Sequence, residues 1–287
     1  MPGQRWYTPY LFALPALALF GIFFVWPLAT AVQLSFMKYD VVSPPVFVGL
    51  DNFARLFGDE RFWTATRNSL LFMAGFLPLL VLLPLLLAVL VNQKLPGIRT
   101  FRMLYYLPVI TSMVAVAVAW EYVFNQQGVL NWVLTGAGLL DRPIQYLLDP
   151  FWALPALILV EGWKSMGFYM MVYLAGLQAI DSTLYEAARV DGCTAWNRLW
   201  RITVPLMVPY LAVATTMAML DAMQAFTSVY VMTRGGPQDA TLTLGYYIWS
   251  AGFEHYEMGY ASAVGLVLWV AMIVLALVNH RLTRGRS

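Results

Sequence analysis

The 287-residue chain is 61% hydrophobic and 11% charged, with a mean hydropathy of +0.68 and a net charge of +2. A soluble domain carries about a quarter charged residues, so this composition excludes an ordinary water-surrounded fold and points to a polytopic membrane protein. The near-neutral balance gives no footprint for nucleic acid.

In chain order, the windows 10–35, 70–91, 103–120, 202–220 and 258–280 contain no Asp, Glu, Lys or Arg, and 151–180 is interrupted only by Glu161 and Lys164. Each window reaches the roughly 20 apolar residues that cross a bilayer as a helix. The alternating ten-residue pattern of a barrel is missing, so the backbone must be satisfied inside helices. The sequence therefore predicts an all-α fold with six transmembrane helices.

Residues 1–9 read as a cytoplasmic N-terminus. Only Arg5 precedes the first span and no small-x-small cleavage site follows, so that span reads as a retained anchor. Residues 10–66 hold it and the first outside loop, which contains Gly49-Leu50-Asp51-Asn52-Phe53. The second span carries Pro78 and Pro84, which bend a helix unless neighbours satisfy the freed carbonyls. Short interfacial helices are expected at 129–134 and 144–148 in the second outside loop. Arg234-Gly235-Gly236-Pro237 is a turn that stops the fifth helix. With a cytoplasmic N-terminus, the inside segments hold ten Lys and Arg and the outside loops six, the bias expected when residues 281–287 are cytoplasmic too. Trp6, Tyr7, Tyr105, Tyr106, Trp152, Tyr246, Tyr247 and Trp249 suit an interfacial belt.

Between the fourth and fifth spans, on the inside, lies Glu186-Ala187-Ala188-Arg189-Val190-Asp191-Gly192-Cys193, followed by Pro205. Tyr185 to Val190 favours helix, Gly192 frees the backbone to turn, and a second short helix is expected over 194–200. Two such helices at right angles make a knob. Glu186, Arg189 and Asp191 are placed to pair with a partner's charges, while Leu184, Ala187 and Ala188 pack into its groove. The plainer reading is an inside loop made of helix formers and a turn.

Polar groups inside spans are costly and are candidate functional sites. Glu161 and Lys164 stand at i, i+3, either as a mutually neutralising pair or as solute-binding groups. Asp221, Gln224 and Ser228 fall at i, i+3 and i+7, a polar stripe on the fifth span that faces solute, a neighbouring span or a partner. Glu121, beside Trp120, reads as interfacial. Cys193 is the only cysteine, so no internal disulfide forms. The two histidines stand apart without metal-ligand spacing, and no hydrolytic constellation or Walker motif occurs, so covalent chemistry and ATP handling have no anchor in this chain.

The Glu186–Gly192 pattern, the Gly49–Phe53 run, Trp163 with Gly167, Leu177-Gln178 and Thr233-x-Gly235-Gly236-Pro237 together resemble the permease subunits of type I ATP-binding-cassette importers, in the carbohydrate-uptake branch. Cys193 departs from the usual alanine there. The resemblance covers nearly the whole chain and implies a type-1 transmembrane domain over 67–280 with a coupling loop at 181–205, in a prokaryotic inner membrane. It implies that Glu186, Ala187, Ala188, Arg189, Asp191, Gly192 and Pro205 couple to an ATPase. Span four would lend Glu161, Trp163 as a stacking surface, and Lys164 to a solute path, with Asp221, Gln224 and Ser228 from span five. The partners implied are a second homologous permease, two ATP-binding subunits carrying ATP and Mg, an extracytoplasmic solute-binding protein docking on the outside loops, and lipid. No cofactor is expected on this chain. A di- or oligosaccharide is favoured as solute because Lys164 is the only intramembrane cation. A glycerol-phosphate-type solute, a stand-alone ion- or proton-coupled carrier and a scaffold without a pathway remain as alternatives.

Overall fold

A computed structural model describes residues 8–93 and 96–284. Arg5, Trp6, Tyr7, Lys94 and Arg286, used above for charge and belt, lie outside the described residues. In order, the elements are α1 (Thr8–Phe20), α2 (Trp26–Ser35), β1 (Met37–Lys38), β2 (Val46–Phe47), α3 (Asp51–Gly58), α4 (Glu60–Val91), α5 (Ile98–Ile110), α6 (Met113–Phe124), α7 (Val129–Gly136), α8 (Ala153–Gln178), α9 (Ser182–Val190), α10 (Ala195–Arg198), α11 (Val204–Met223), α12 (Leu244–Trp249) and α13 (Met258–Arg284). The fold is all-α save for the two-residue antiparallel ladder that pairs Met37 with Phe47.

Every apolar window falls mainly on helix. Among the described residues four helical stretches are long and apolar enough to cross a membrane: Tyr10–Ser35, Glu60–Val91, Ala195–Met223 and Met258–Thr283. A fifth arises only if Ile98–Ile110 and Met113–Gly136 are joined across a 99° bend. α8 is 26 residues long but is not among them on apolarity. Length and composition therefore give four or five spans rather than the expected six.

Two helices pass through a proline by widening. Trp26 N–H donates to Gly21 O and Val204 N–H to Leu199 O, each a π-type turn that precedes Pro27 and Pro205. A proline has no N–H to give and its ring crowds the carbonyl one turn back; the wider turn accommodates both.

The chain divides into two compact units, Met1–Asp59 with Tyr247–Trp269, and Glu60–Tyr246 with Val270–Ser287. In the first, the Asn52 amide donates to Ser35 O and Met37 O at 2.9 Å each, closing the free carbonyl end of α2. Phe53 packs on Phe36. Arg55 grips Glu257 with two bonds of 2.8 and 2.9 Å and lies 4.2 Å over the Tyr260 ring. Asp59 accepts from Tyr247 and, at 2.5 Å, from Tyr260.

In the second unit α8 packs against α4, α5 and α11, and α4 against α11. Phe72, Phe76 and Leu80 of α4 are buried with Leu157, Val160, Tyr169 and Tyr173 of α8. Gly167 lets α8 and α5 touch backbone to backbone, because a Cβ there would sit 2.1 Å from Tyr105 O. α4 continues through Pro78 and Pro84. Toward its N-terminal end, Asn68 donates to Asp239 O and Leu242 O at 2.7 and 3.1 Å, and Ser69 Oγ accepts from Leu244 N–H at 2.8 Å. Arg61 pairs with Asp239.

Several expectations are corrected. The third window is not one helix: Thr111 and Ser112 take extended backbone (ψ 141° and 134°), and the chain turns there. The helix expected at 144–148 is a turn, because the Asn131 side chain holds Ile144 in a two-bond ladder, accepting from its N–H and donating to its O, both at 2.9 Å. The helix after Gly192 is not a separate piece, since Ala195–Met223 runs on through the widened turn before Pro205. Finally, α11 ends at Met223, with Gln224 as its C-cap, so Asp221, Gln224 and Ser228 do not share one continuous helix.

Candidate functional site

The intramembrane polar groups meet despite that break. A cavity of about 350 Å³ is lined by Glu161, Lys164 and Ser165 of α8, Met113 of α6, Phe76 of α4, and the run Asp221, Gln224, Ala225, Phe226 and Thr227. Ending α11 at Met223 turns this run into the cavity wall. Ser165 and Thr227 were not singled out from the sequence. Ser165 was legible, since it follows Glu161 by four residues and so shares its face.

Each charged group has a specific partner. Ser228, one residue after helix resumes at Thr227, donates its hydroxyl to Glu161. The Tyr169 hydroxyl donates to Asp221 Oδ2 at 2.9 Å. Gln224 Nε2 reaches Leu220 O at 3.3 Å and Met272 Sδ at 3.4 Å. The expected Glu161–Lys164 pair does not close, unlike Arg55–Glu257 and Arg61–Asp239. Lys164 Nζ instead donates to Val109 O at 3.4 Å. In an unbroken helix that carbonyl would accept from residue 113; the bend at Thr111–Ser112 releases it, and a cation at a helix C-terminus is favourable.

Trp163 is corrected as well. It lines a separate groove with Phe101, Leu104, Tyr105, Pro108 and Met166 and meets Trp120 edge to face. Two residues along a helix is about 200° of rotation from Glu161, so the indole points away from the polar cavity. A second, apolar groove of about 700 Å³, between α5 and α8, includes Arg102, Tyr106, Phe168 and Met171.

The segment at 181–205 is a protruding knob. Asp181 caps α9 by accepting from Thr183 N–H at 2.9 Å, which holds its carboxyl below the usual carboxylate range. Thr194 Oγ1 accepts from Asn197 N–H at 3.3 Å to cap α10. Gly192 turns the chain at φ +71°. Glu186, Ala187, Arg189 and Asp191 are exposed, as is Pro205 at the entrance of α11. Ala188 is not available to a groove: it is 7% exposed, packed within the chain, and its carbonyl accepts from Cys193 N–H. The apolar surface offered outward is instead Leu184, Val190 (88% exposed) and Trp196 (66% exposed), with Trp196 edge-on to Trp200. Tyr185 Oη lies 3.1 Å from Thr203 Oγ1, tying α9 to the approach of α11.

A set of long apolar helices with a polar cavity and an exposed two-helix segment suits a membrane transport component. Residues 61–287 match the family described as "Binding-protein-dependent transport system inner membrane component", and the chain belongs to it. It is 34% identical over 290 residues to the lactose transport system permease protein LacF of Rhizobium radiobacter, covering 99% of this chain and 97% of LacF. It is 32% identical over 283 residues to the trehalose/maltose transport system permease protein MalF of Thermococcus litoralis, covering 96% and 94%. Among solved structures, a bacterial alginate ABC transporter in complex with an alginate pentasaccharide-bound periplasmic protein superposes with a TM-score of 0.81 at 29% identity, covering 98% of each chain. The chain is thus a permease-type transport subunit of an inner membrane.

Proposed function

We propose that this chain is one of two homologous permease subunits of an ATP-driven importer, and that it carries a di- or oligosaccharide through the cavity between α8 and the broken end of α11. The observation that carries this reading is the cavity itself: two carboxylates, an amide, two hydroxyls and the Phe76 and Phe226 rings surround about 350 Å³. Acceptors, donors and ring faces in one place suit a polyhydroxylated solute. Relatives named for lactose and for trehalose/maltose support the same class. Glu161 and Asp221 face the single cation Lys164, which Val109 O already engages, so the site is ill suited to a phosphate.

Two ATP-binding subunits, holding ATP and Mg, meet the knob at Glu186, Ala187, Arg189 and Asp191, with Leu184, Val190 and Trp196 as apolar anchors. Both termini face the cytoplasm. A solute-binding protein docks on the outer loops; the similar alginate transporter is found in complex with an alginate pentasaccharide-bound periplasmic protein. Closure of the ATPase pair draws the knobs together and turns the cavity outward; hydrolysis resets it. Glu161, Lys164, Asp221 and Gln224 form the solute path, Ser228 lies buried behind Glu161 as its donor, and Trp163 does not take part.

The test is uptake by proteoliposomes holding the full complex, with a panel of labelled sugars and glycerol phosphodiesters. Sugar uptake that needs both ATP and binding protein is expected. Uptake of phosphodiesters alone, or gradient-driven uptake by this chain without partners, overturns the reading.

A further inference from the structure

The cavity wall at Gln224–Thr227 lies where helix stops, so its backbone must be held by something other than a helix. Ala225 sits between the end of α11 and the resumption of helix at Thr227. Its carbonyl accepts from the Thr243 hydroxyl at 2.7 Å, and Thr243 is fully buried. Two residues on, the chain passes so close that a Cβ on Gly245 would stand 2.9 Å from Ala225 O and 3.1 Å from Gln224 O. No side chain other than glycine fits there without moving the wall.

The segment that delivers Thr243 and Gly245 is itself pinned from α4. Asn68 holds Leu242 O, Ser69 receives Leu244 N–H, and Thr241 Oγ1 donates to Gly236 O at 2.7 Å. None of these residues lines the cavity. Two hydrogen bonds from α4 thus hold the backbone on either side of Thr243, and the Thr243 hydroxyl carries that anchorage to the backbone that presents Gln224 and Thr227 to a solute.

We propose that Thr243 and Gly245 are positioning residues that set the place of the Gln224–Thr227 wall and, through it, the affinity and size selectivity of the solute cavity. For the solute itself this rests on the transport function proposed above. Removing the Thr243 hydroxyl leaves a buried carbonyl without its donor, and the break can relieve this only by shifting. A methyl group at Gly245 pushes the same carbonyls outward.

The experiment uses the assembled complex with Cys193→Ser as background and Thr227→Cys as reporter. The rate at which a membrane-impermeant methanethiosulfonate labels the reporter reads wall position with no solute present. Thr243→Val is expected to change that rate about fivefold or more, with Gly245→Ala doing the same and Thr243→Ser restoring it. In uptake assays without the reporter, Thr243→Val should raise the solute KM about tenfold, the scale of one buried unpaired acceptor, with the maximal rate held within about twofold. Labelling of Thr243→Val and Gly245→Ala at the parental rate overturns the proposal, as does a loss of maximal rate at unchanged KM. Should Thr243→Val fail to assemble, Thr243→Ala and Gly245→Ala carry the same two readouts. A wrong solute class would void the uptake arm and leave the labelling arm standing.

Discussion

Ser228 donates its hydroxyl to Glu161, joining the first residues after the break in one helix to the middle of another. The bond explains how a carboxylate is tolerated inside a span: its donor comes from a residue that is itself fully buried. It also fixes where helix resumes after Gln224, so Glu161 both faces the cavity and locks one of its walls. Ser228→Ala should therefore cost more than a surface hydroxyl. A hydrogen bond to a charged group is worth about 2 kcal/mol, or roughly thirtyfold, in solute KM measured with the complete transporter. Ser228→Thr, which keeps the hydroxyl, is expected to stay close to wild type.

Tyr169 plays the matching part for Asp221, reaching it from α8 with a bond of 2.9 Å. Tyr169→Phe keeps the buried ring and removes only the donor. Asp221 is exposed to the cavity, where water can take the place of the hydroxyl, so the expected loss is smaller, about fivefold in KM, with assembly and thermal stability unchanged. Uptake kinetics beside a melting curve separate that outcome from a packing defect, which would lower both.

The residues that meet in the cavity were legible in the sequence because charge inside an apolar span is rare and therefore informative. Their arrangement was less so. The Asp221–Ser228 stripe looked like one helical face, yet the chain breaks at Gln224-Ala225-Phe226, a run with no glycine or proline to mark it. The bend at Thr111–Ser112 likewise follows Pro108 by three residues and depends on packing against α8. Both are tertiary effects that override local propensity. The misplacement of Trp163 was avoidable, since two residues of helix already turn it away from Glu161. In the segment 181–205 the exposure of Glu186, Arg189 and Asp191 was legible. Its buried Ala188 and exposed Val190 and Trp196 were not, because small and large apolar residues trade places only once α9 is seated. Thr243 and Gly245 gave no signal at all: they touch backbone, which no side-chain pattern reveals.

The cap of α9 has a defined response to acid. Asp181 accepts from the Thr183 N–H, and this bond holds its carboxyl below the usual carboxylate range. A depressed folded value means the cap's contribution is complete above the unfolded pKa and is lost as pH falls through the folded one. At neutral pH α9 should therefore show full amide protection, fraying only in acid below about pH 4. Asp181→Asn keeps a capping oxygen without the titration. Hydrogen exchange across α9 in both proteins should diverge in acid and coincide at pH 7; divergence at pH 7 would show that charge, not capping, sets the helix.

The contact between Tyr185 and Thr203 carries the most direct consequence for coupling. Tyr185 belongs to α9, and Thr203, itself buried, closes the widened turn that leads into α11. Their hydroxyls lie 3.1 Å apart, so a force applied to Glu186 or Arg189 reaches α11 through a side-chain bond as well as through the turn at Gly192. Tyr185→Phe cuts the first route and spares the exposed surface proposed to dock the ATPase. The ATPase subunits should still bind and hydrolyse ATP, whereas solute moved per ATP should fall by about threefold to tenfold, the scale of one internal hydrogen bond. Trp196→Ala acts on the docking surface instead. Losing an exposed aromatic anchor of this kind typically costs more than about 1 kcal/mol, so co-purification of the ATPase should weaken while Tyr185→Phe leaves it intact. Measuring ATP turnover and uptake on the same vesicles separates the two. If Tyr185→Phe lowers both in proportion, the residue serves docking and the side-chain route through Thr203 carries no force.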